Sequence, residues 1–359
     1  MSHTLHSRLA TLAFALFAAT AACDSDEGGP PLDLTTDADN CGEIGHSCLG
    51  GLCSDAQCRP VAVVDPSIVA GGSGGIIHGF ILTDDELLFS AQALDTNELH
   101  IYRMVFDAPV PTSVAAEAAE AFARDEANVY WTTSKASNDG GRGLVRYPLA
   151  GGEGTVLAHD GAFFGVAVGA GSVYFADGAV GEIKRVPATG GDVEIVATGA
   201  SGPRAVAVDD QSVYWVDTAP PCGLKKAPVG GGDVTVVVAD SCGSTRGLAL
   251  DAGNAYWVDS SDDVQTGGAV RTVPLEGGAD VVLGSSPASP VDIAVDDSGI
   301  YWLENGTTPD DAPYGALKYL SYDGGTPTVL FRAGPLHVLR LSDDSVYFST
   351  LTGIYRLAK

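Results

Sequence analysis

The sequence predicts an all-β protein, a seven-bladed β-propeller of four-stranded antiparallel blades, because a strand-like unit recurs seven times. Its landmark is an aromatic or apolar pair that returns every 40 to 46 residues, a period typical of propeller blades. The composition agrees, since 46 Gly and 19 Pro favour short strands and tight turns. The seven landmark pairs are Leu88-Phe89, Tyr130-Trp131, Tyr174-Phe175, Tyr214-Trp215, Tyr256-Trp257, Tyr301-Trp302 and Tyr347-Phe348.

The fourth repeat shows the unit most clearly. An apolar inner strand leads through an Asp turn into the landmark strand, and a variable loop then leads into a third strand. A Gly-Gly turn leads into the fourth strand. The four predicted strands are Arg204–Val208, Ser212–Val216, Gly223–Val229 and Asp233–Ala239.

The seventh repeat ends at its third strand, Gly353–Ala358. The segment Pro60–Val64 (PVAVV) resembles the fourth strands of other repeats, such as Val234–Val238 (VTVVV). We therefore predict that Pro60–Val64 completes the last blade and closes the ring without a free inner edge.

The N-terminal region has the features of an export signal. Arg8 precedes the apolar run Leu9–Ala19, which is too short to span a bilayer, so residues 1–22 are predicted to be a signal peptide. The end of this segment together with the next residue, Thr20-Ala21-Ala22-Cys23, resembles the lipobox of bacterial lipoproteins, although Thr20 stands where that family usually has Leu. The resemblance implies lipidation of Cys23 and anchoring to a membrane. The alternative is ordinary cleavage near Thr20, which leaves Cys23 as a free thiol.

Two short segments separate this signal from the predicted propeller at residues 60–359. Residues 23–40 combine the lipidated Cys23 with an acidic linker, which has six acids, no base and two prolines and is predicted to be flexible. Residues 41–59 carry Cys41, Cys48, Cys53 and Cys58, for which we predict two disulfides with three possible connectivities. A zinc site is the rival, but it usually shows C-x2-C pairs.

A further disulfide is predicted between Cys222 and Cys242. The two residues lie at equal distances from Gly232, the end of the Gly-Gly turn in blade four, so they face each other at the open end of that hairpin.

The repeats resemble the YWTD-type propellers of lipoprotein receptors and, more loosely, NHL and related bacterial propellers. The residues that carry the resemblance are Tyr214–Asp217 (YWVD), Tyr256–Asp259 (YWVD) and Tyr301–Glu304 (YWLE). Val or Leu replaces the motif Thr, and seven repeats are present where the receptor family has six. The resemblance implies a propeller that binds proteins or ligands and whose motif residues are structural. The Cys-rich segment is similar to short modules that precede propellers in some bacterial lipoproteins.

Candidate binding residues occur ten positions before each landmark, where the inner strand begins. This end of the strand faces the same side as the variable loops, and its side chains should ring the mouth of the central channel. The residues are His78, Glu120, Phe164, Arg204, Arg246, Val291 and His337.

Two chemistries are open at this mouth. His337, His78 and Glu120 come from neighbouring blades and could hold a transition metal. Arg204 and Arg246 could clamp a carboxylate or phosphate. The alternative for all of them is that they only line a water-filled channel.

The many acidic residues raise the possibility of Ca²⁺ sites, but their positions favour structural roles. Four pairs fall at the first tight turn of a blade, where Asp is expected to cap its own turn: Asp84-Asp85, Asp209-Asp210, Asp296-Asp297 and Asp343-Asp344. The acids after the landmark are expected to pair with third-strand bases, as Asp177–Lys184, Asp217–Lys225, Asp259–Arg271 and Glu304–Lys318. Asp259–Asp263 and Asp310-Asp311 are less regular and remain possible calcium ligands.

The sequence favours a non-enzymatic binding propeller. Its formal charge of −27 disfavours binding to nucleic acid, where Lys and Arg must replace counterions. We expect a monomer in the periplasm or at the cell surface, with an envelope protein or small anion as ligand. The alternatives are an exported lyase or hydrolase with its site at the channel mouth, and a structural protein of envelope assembly. The zinc-protease and P-loop motifs are absent from the sequence. A single G-x-S-x-G match, Gly71–Gly75, precedes a predicted strand, whereas the serine-hydrolase motif follows one.

Overall fold

The computed structural model describes residues 34–42, 46–65, 75–133, 143–241, 247–260, 268–286, 289–305 and 315–359. The chain forms seven four-stranded antiparallel sheets, which are the seven predicted blades, and one two-stranded hairpin. The hairpin pairs β1 (Cys53–Ser54) with β2 (Gln57–Cys58). The prediction of a seven-bladed propeller is confirmed.

Blades one to three use twelve consecutive strands. They are β4 (Gly75–Leu82), β5 (Glu86–Ala93), β6 (Leu99–Val105), β7 (Ala108–Ala115), β8 (Ala121–Arg124), β9 (Asn128–Thr132), β10 (Gly143–Pro148), β11 (Thr155–His159), β12 (Phe163–Gly169), β13 (Ser172–Asp177), β14 (Glu182–Pro187) and β15 (Glu194–Thr198).

Blades four to seven continue the same order, from the innermost strand to the outermost. They contain β16 (Pro203–Val208), β17 (Ser212–Asp217), β18 (Gly223–Pro228), β19 (Thr235–Ala239), β20 (Leu248–Leu250), β21 (Asn254–Asp259), β22 (Gly268–Pro274), β23 (Val281–Ser286), β24 (Ser289–Asp296), β25 (Gly299–Asn305), β26 (Gly315–Ser321), β27 (Thr328–Ala333), β28 (Leu336–Leu341), β29 (Ser345–Thr350), β30 (Ile354–Ala358) and, as the last outer strand, β3 (Val61–Val64).

The ring closes through the pairing of β3 with β30. Val61 lies opposite Arg356, and Ala62 lies opposite Tyr355. Each inner strand contacts the inner strand of the next blade, and β28 contacts β4. The predicted closure by the segment before blade one is therefore confirmed.

The landmark residues form the core, as the repeat predicted. The side chains of Trp131, Trp215, Trp257 and Trp302 are at most 2% exposed. Small residues in the inner strands allow close contact between blades. A Cβ atom on Gly165 would lie 2.1 Å from the carbonyl oxygen of Arg204 in the next blade, so only glycine fits there.

The Asp turns of blades four and six are capped as predicted, whereas the blade-one turn is capped by Thr83, whose Oγ1 accepts from the Glu86 amide. Asp209 Oδ1 accepts hydrogen bonds from the amides of Gln211 and Ser212, and its Oδ2 accepts one from the Tyr214 hydroxyl. The landmark tyrosine is thereby tied to the turn that precedes it, and Tyr130 and Tyr256 make the same bond to Asp125 and Asp251.

The four predicted cross-strand ion pairs are all present. Lys184 Nζ lies 2.7 Å from Asp177 Oδ2, and Lys225 Nζ lies 2.6 Å from Asp217 Oδ2. The other two pairs are Arg271–Asp259 and Lys318–Glu304. These acids therefore have a structural role, since each forms an ion pair with a neighbouring strand of its own blade.

The Cys-rich segment forms two disulfides, Cys41–Cys53 and Cys48–Cys58, which settles the open connectivity. The zinc alternative is wrong because these sulfurs are bonded to each other. Residues 34–40, which the sequence assigns to the flexible linker, hydrogen-bond to this module, for example from the Cys48 amide to the Ala38 carbonyl. Cys222 is disulfide-bonded, and its predicted partner Cys242 lies outside the described residues.

The module packs on the last blade. Its four cysteines share a buried cluster with Leu336, Phe348 and Leu357. His46 Nε2 hydrogen-bonds to the carbonyl oxygen of Lys359 at 3.0 Å, and Arg356 donates to the carbonyl oxygen of Leu49. Both contacts hold the module against β30 and the residue that follows it, beside the strand pair that closes the ring.

No helix within the described part of the chain is long and apolar enough to cross a bilayer. Cys23 and residues 1–33 lie outside the described residues, so the signal peptide and lipid anchor remain predictions.

We expect Asp217→Ala to lower the free energy of unfolding by about 3–5 kcal/mol, because it leaves the Lys225 ammonium buried without its partner. The side chains of Asp217 and Lys225 are 0% and 8% exposed. The control is Glu194→Ala, since Glu194 is 58% exposed in its pair with Arg185 and should contribute about 1 kcal/mol or less. Urea denaturation measures both variants, and equal losses would contradict the prediction.

Acid should weaken the protein partly through Asp251. Partial burial acts to raise the pKa of this carboxyl group, but hydrogen bonds from Tyr256, Gly253 and Asn254 outweigh burial and lower the pKa. A lowered folded-state pKa gives stability that is present above the unfolded value of about 3.9 and lost as pH falls through the folded value.

The variant Asp251→Asn should therefore be less stable than the wild type at neutral pH and should lose less stability between about pH 4 and about pH 2. Tyr256→Phe removes one of the donors and should change the acid limb in the same direction by a smaller amount. Urea denaturation across this pH range measures the effect. Superimposable acid limbs for Asp251→Asn and the wild type would show that the turn does not contribute.

Candidate functional site

The loop-face mouth of the channel is built from bulges in the inner strands. In five blades the register of the inner strand shifts where the predicted mouth residue stands, and such a bulge redirects a side chain out of the regular pleat. The residues within these bulges are His78, Phe164, Arg204, Val291 and His337. Glu120 precedes β8, and its amide donates to the carbonyl oxygen of Thr132.

Two of these residues are in direct contact. Cζ of Arg204 lies 3.9 Å from the ring centroid of Phe164, a stacked cation–π arrangement between blades three and four. Arg204 is exposed, and Phe164 is half-buried. The Phe164 ring lies over Gly178, where a Cβ would come within 2.5 Å of it. The missing side chain at residue 178 therefore makes room for the ring beneath the guanidinium.

The predicted metal ligands are less closely gathered. His78, His337 and Glu120 come from neighbouring blades, but within the described residues the only three potential ligand groups whose ligand atoms lie within 4.8 Å of one another are those of Cys41, Cys48 and Cys53. Those three are engaged in disulfides. His78, His337 and Glu120 therefore lie at the mouth of the channel, but a metal site formed by them stays a prediction.

Other parts of the predicted mouth cannot be placed. Arg246, the proposed partner of Arg204, lies outside the described residues, as do most of the variable loops at 134–142, 261–267 and 306–314. The possible calcium ligands Asp310 and Asp311 belong to the last of these ranges.

One buried ion pair at the centre of the ring was missed by the sequence reasoning. Asp292 Oδ2 accepts a hydrogen bond from the Leu339 amide at 2.8 Å and lies 3.2 Å from Nη1 of Arg340. Burial raises the pKa of the Asp292 carboxyl group, and Arg340 and the Leu339 amide oppose that rise. Asp292 thus links the inner strands of blades six and seven and orients Arg340.

The repeat did contain a signal for this pair. Seven positions before the landmark, where blade seven has Arg340, five blades carry Ala123, Ala167, Ala207, Ala249 and Ala294. Nine positions before it, where blade six has Asp292, five blades carry Gly79, Ala121, Gly165, Ala205 and Gly247. Asp292 and Arg340 are thus charged residues at positions where most blades have Gly or Ala, and their side chains contact each other.

Arg340 also lines a large cavity on the face opposite the loops, which we did not expect. The cavity measures 1270 Å³ and runs over the turns of blades six, seven and one. It lies where β3, the outer strand of blade seven, faces blade one. We call it the closure groove. It was missed because the turns there are short and regular, so no loop in the sequence marks it. Its lining includes Val61, Leu82, Met104, Phe106, Arg340 and Tyr347.

Solved structures with a similar fold are distant in sequence. A chain of a nidogen/laminin complex is 16% identical with a TM-score of 0.51, covering 73% of this chain and 93% of that chain. A gluconolactonase from Xanthomonas campestris is 14% identical with a TM-score of 0.50, covering 73% and 90%. The tricorn protease is 14% identical with a TM-score of 0.56, covering 83% of this chain and 34% of that one.

At these identities the likeness shows the propeller fold alone. One of the three proteins comes from a protein complex, and the other two are named as a gluconolactonase and a protease. No protein-family model and no curated protein sequence matches the chain.

Proposed function

We propose that this protein is a non-enzymatic binding propeller of the bacterial cell envelope, held by a lipid on Cys23, that recognises an anionic ligand at its loop-face mouth. The contact between Arg204 and Phe164 is the observation that carries the proposal. The ligand is a small carboxylate or phosphate, or an acidic group on an envelope protein.

Stacking suits Arg204 to anion binding. The ring of Phe164 covers one face of the guanidinium, while the N–H donors lie in the guanidinium plane and point outward. An arginine held in this way loses little conformational freedom when a carboxylate or phosphate binds across two donors. Among the described residues, no carboxylate forms an ion pair with Arg204. Within the described part of the chain, the Arg204 cation is therefore stacked on the Phe164 ring but is not neutralised by a carboxylate.

An envelope location is supported by the cysteine chemistry. Disulfides persist in oxidising compartments, and this chain contains Cys41–Cys53 and Cys48–Cys58. The acidic charge of −27 would oppose binding to an anionic membrane surface, so attachment would rest on the lipid. Catalysis as a lyase or hydrolase at the same mouth, and a purely structural role in envelope assembly, are the alternatives.

Anion binding is tested by titrating the purified full-length chain with phosphate, citrate and glutamate in a calorimeter. At least one of these anions should bind, and Arg204→Ala should weaken it by about tenfold or more, because a hydrogen bond to a charged group contributes about 1.5–3 kcal/mol. The control is Arg332→Ala, which removes an exposed arginine from β27 in blade six. The anion proposal is wrong if no probe binds or if both variants weaken binding equally.

The anchor is tested by expressing Cys23→Ser in a bacterial host. We expect this variant to remain unprocessed and to lose the acyl mass on Cys23, as measured by mass spectrometry of the membrane fraction. Thr20→Leu is the matched control, because it moves the signal closer to the lipobox pattern and should retain lipidation. A Cys23→Ser protein that is processed and fractionates like the wild type would refute the anchor.

A further inference from the structure

The closure groove has an acidic rim. Asp84, Asp297, Asp343 and Asp344 are exposed at the turns that border it. Within the described residues, the carboxylates of Asp297, Asp343 and Asp344 form no ion pair, and that of Asp84 lies 3.9 Å from Arg124. The rim therefore presents negative charge that the fold leaves uncompensated, in a chain that is already strongly acidic.

The basic groups inside the groove are already engaged. Lys359 Nζ lies 2.5 Å from Asp296 Oδ2 and also donates to the backbone carbonyl of Ser342. Arg340 Nη1 lies 3.2 Å from Asp292 Oδ2 and donates to the Leu339 carbonyl. Arg124 and Arg356 also line the groove: Arg124 lies 3.9 Å from Asp84, and Arg356 donates to the Leu49 carbonyl. All four cations are thus engaged by the protein, while three rim carboxylates form no ion pair within the described residues, so the groove attracts a positive ligand rather than a negative one.

The walls of the groove offer apolar and aromatic surface. The rings of Phe106 and Tyr347 lie 6.3 Å apart between their centroids, where blades one and seven meet. On this wall Phe106 is half-buried and Pro109 is exposed, whereas Met104 and Leu82 are buried behind them. Aromatic faces beside carboxylates bind ammonium and guanidinium groups, and the aliphatic stems of Lys and Arg pack on apolar walls.

The size and the edge of the groove favour a polypeptide over a small molecule. A volume of 1270 Å³ exceeds the range of about 300–1000 Å³ typical of small-molecule pockets. Val61, Ala62 and Val63 of β3 line the groove, and β3 is the outermost strand of its blade, with one neighbour only. An extended segment can lie beside such an edge strand and add main-chain hydrogen bonds to it.

We propose that the closure groove binds a basic, extended segment of a partner protein, in which Lys or Arg side chains alternate with apolar ones. Its basic side chains meet the rim carboxylates, and its apolar side chains face Phe106 and Pro109. This site lies on the face opposite Arg204 and does not depend on the anion site.

The test uses a seven-residue peptide with acetylated and amidated ends in which Lys alternates with Leu. The purified full-length chain should bind this peptide in fluorescence anisotropy, and the affinity should fall as salt is added. A peptide with Glu in place of every Lys should bind at least tenfold more weakly. Arg204→Ala should leave the affinity unchanged, so failure here is distinguishable from failure of the anion site.

The matched variants carry the same change of charge. Asp297→Asn with Asp343→Asn should weaken the peptide about threefold to tenfold, because each exposed pair contributes up to about 1 kcal/mol. Asp192→Asn with Asp233→Asn removes two exposed carboxylates from blades three and four and should have no effect. Thermal unfolding of both double variants verifies that the fold is kept.

Three results would overturn the proposal. First, the Glu peptide could bind as tightly as the Lys peptide and lose its binding in Arg340→Gln, which would mean that the groove binds an anionic segment. Both double variants could weaken binding equally, which would mean a general charge effect. Sedimentation equilibrium could show a dimer that Asp297→Asn with Asp343→Asn dissociates, which would mean that a second copy of the chain fills the groove.

Discussion

Pairing between β3 and β30 is the interaction on which the remaining structure depends. Six blades are made from consecutive strands and could in principle form one after another, but a ring requires its two ends to be joined. The joint is reinforced by the Cys-rich module, since Arg356 in β30 donates to the carbonyl of Leu49, 307 residues away along the chain. Val64 of β3 shares a buried cluster with Leu82 of blade one and Tyr347 of blade seven, so the closing strand also contributes to the packing between these two blades.

The fold could be predicted from the sequence because its signals are repeated. A single Tyr-Trp pair says little, but seven landmarks at one period define the blade, and each position can then be compared with its equivalents. The same comparison predicted the turn role of Asp209 and the pairing of Asp217 with Lys225. These interactions are local, so the residues that make them have a fixed spacing within one repeat.

The sites were harder to predict because they depend on residues from different blades. The contact of Arg204 with Phe164 joins two repeats, and the sequence placed both residues at the mouth without indicating that one covers the other. Asp292 and Arg340 occupy different positions in their repeats, so comparing equivalent positions separately did not reveal the pair. The closure groove lies between turns that are individually regular. Its shape comes from the arrangement of three blades, which no single segment encodes.

The use of β3 as the final strand also determines the order in which the protein can mature. During synthesis or export β3 emerges before every blade, whereas its partner β30 emerges last. The apolar strand must therefore stay unpaired until all seven repeats are present, and long-range pairing of this kind is slow and exposed to misassociation. The strand β3 is only four residues long, and such a short strand is less prone to pair with a wrong partner. The disulfides Cys41–Cys53 and Cys48–Cys58, if they form early, would give β3 an ordered neighbouring module before its partner β30 is available.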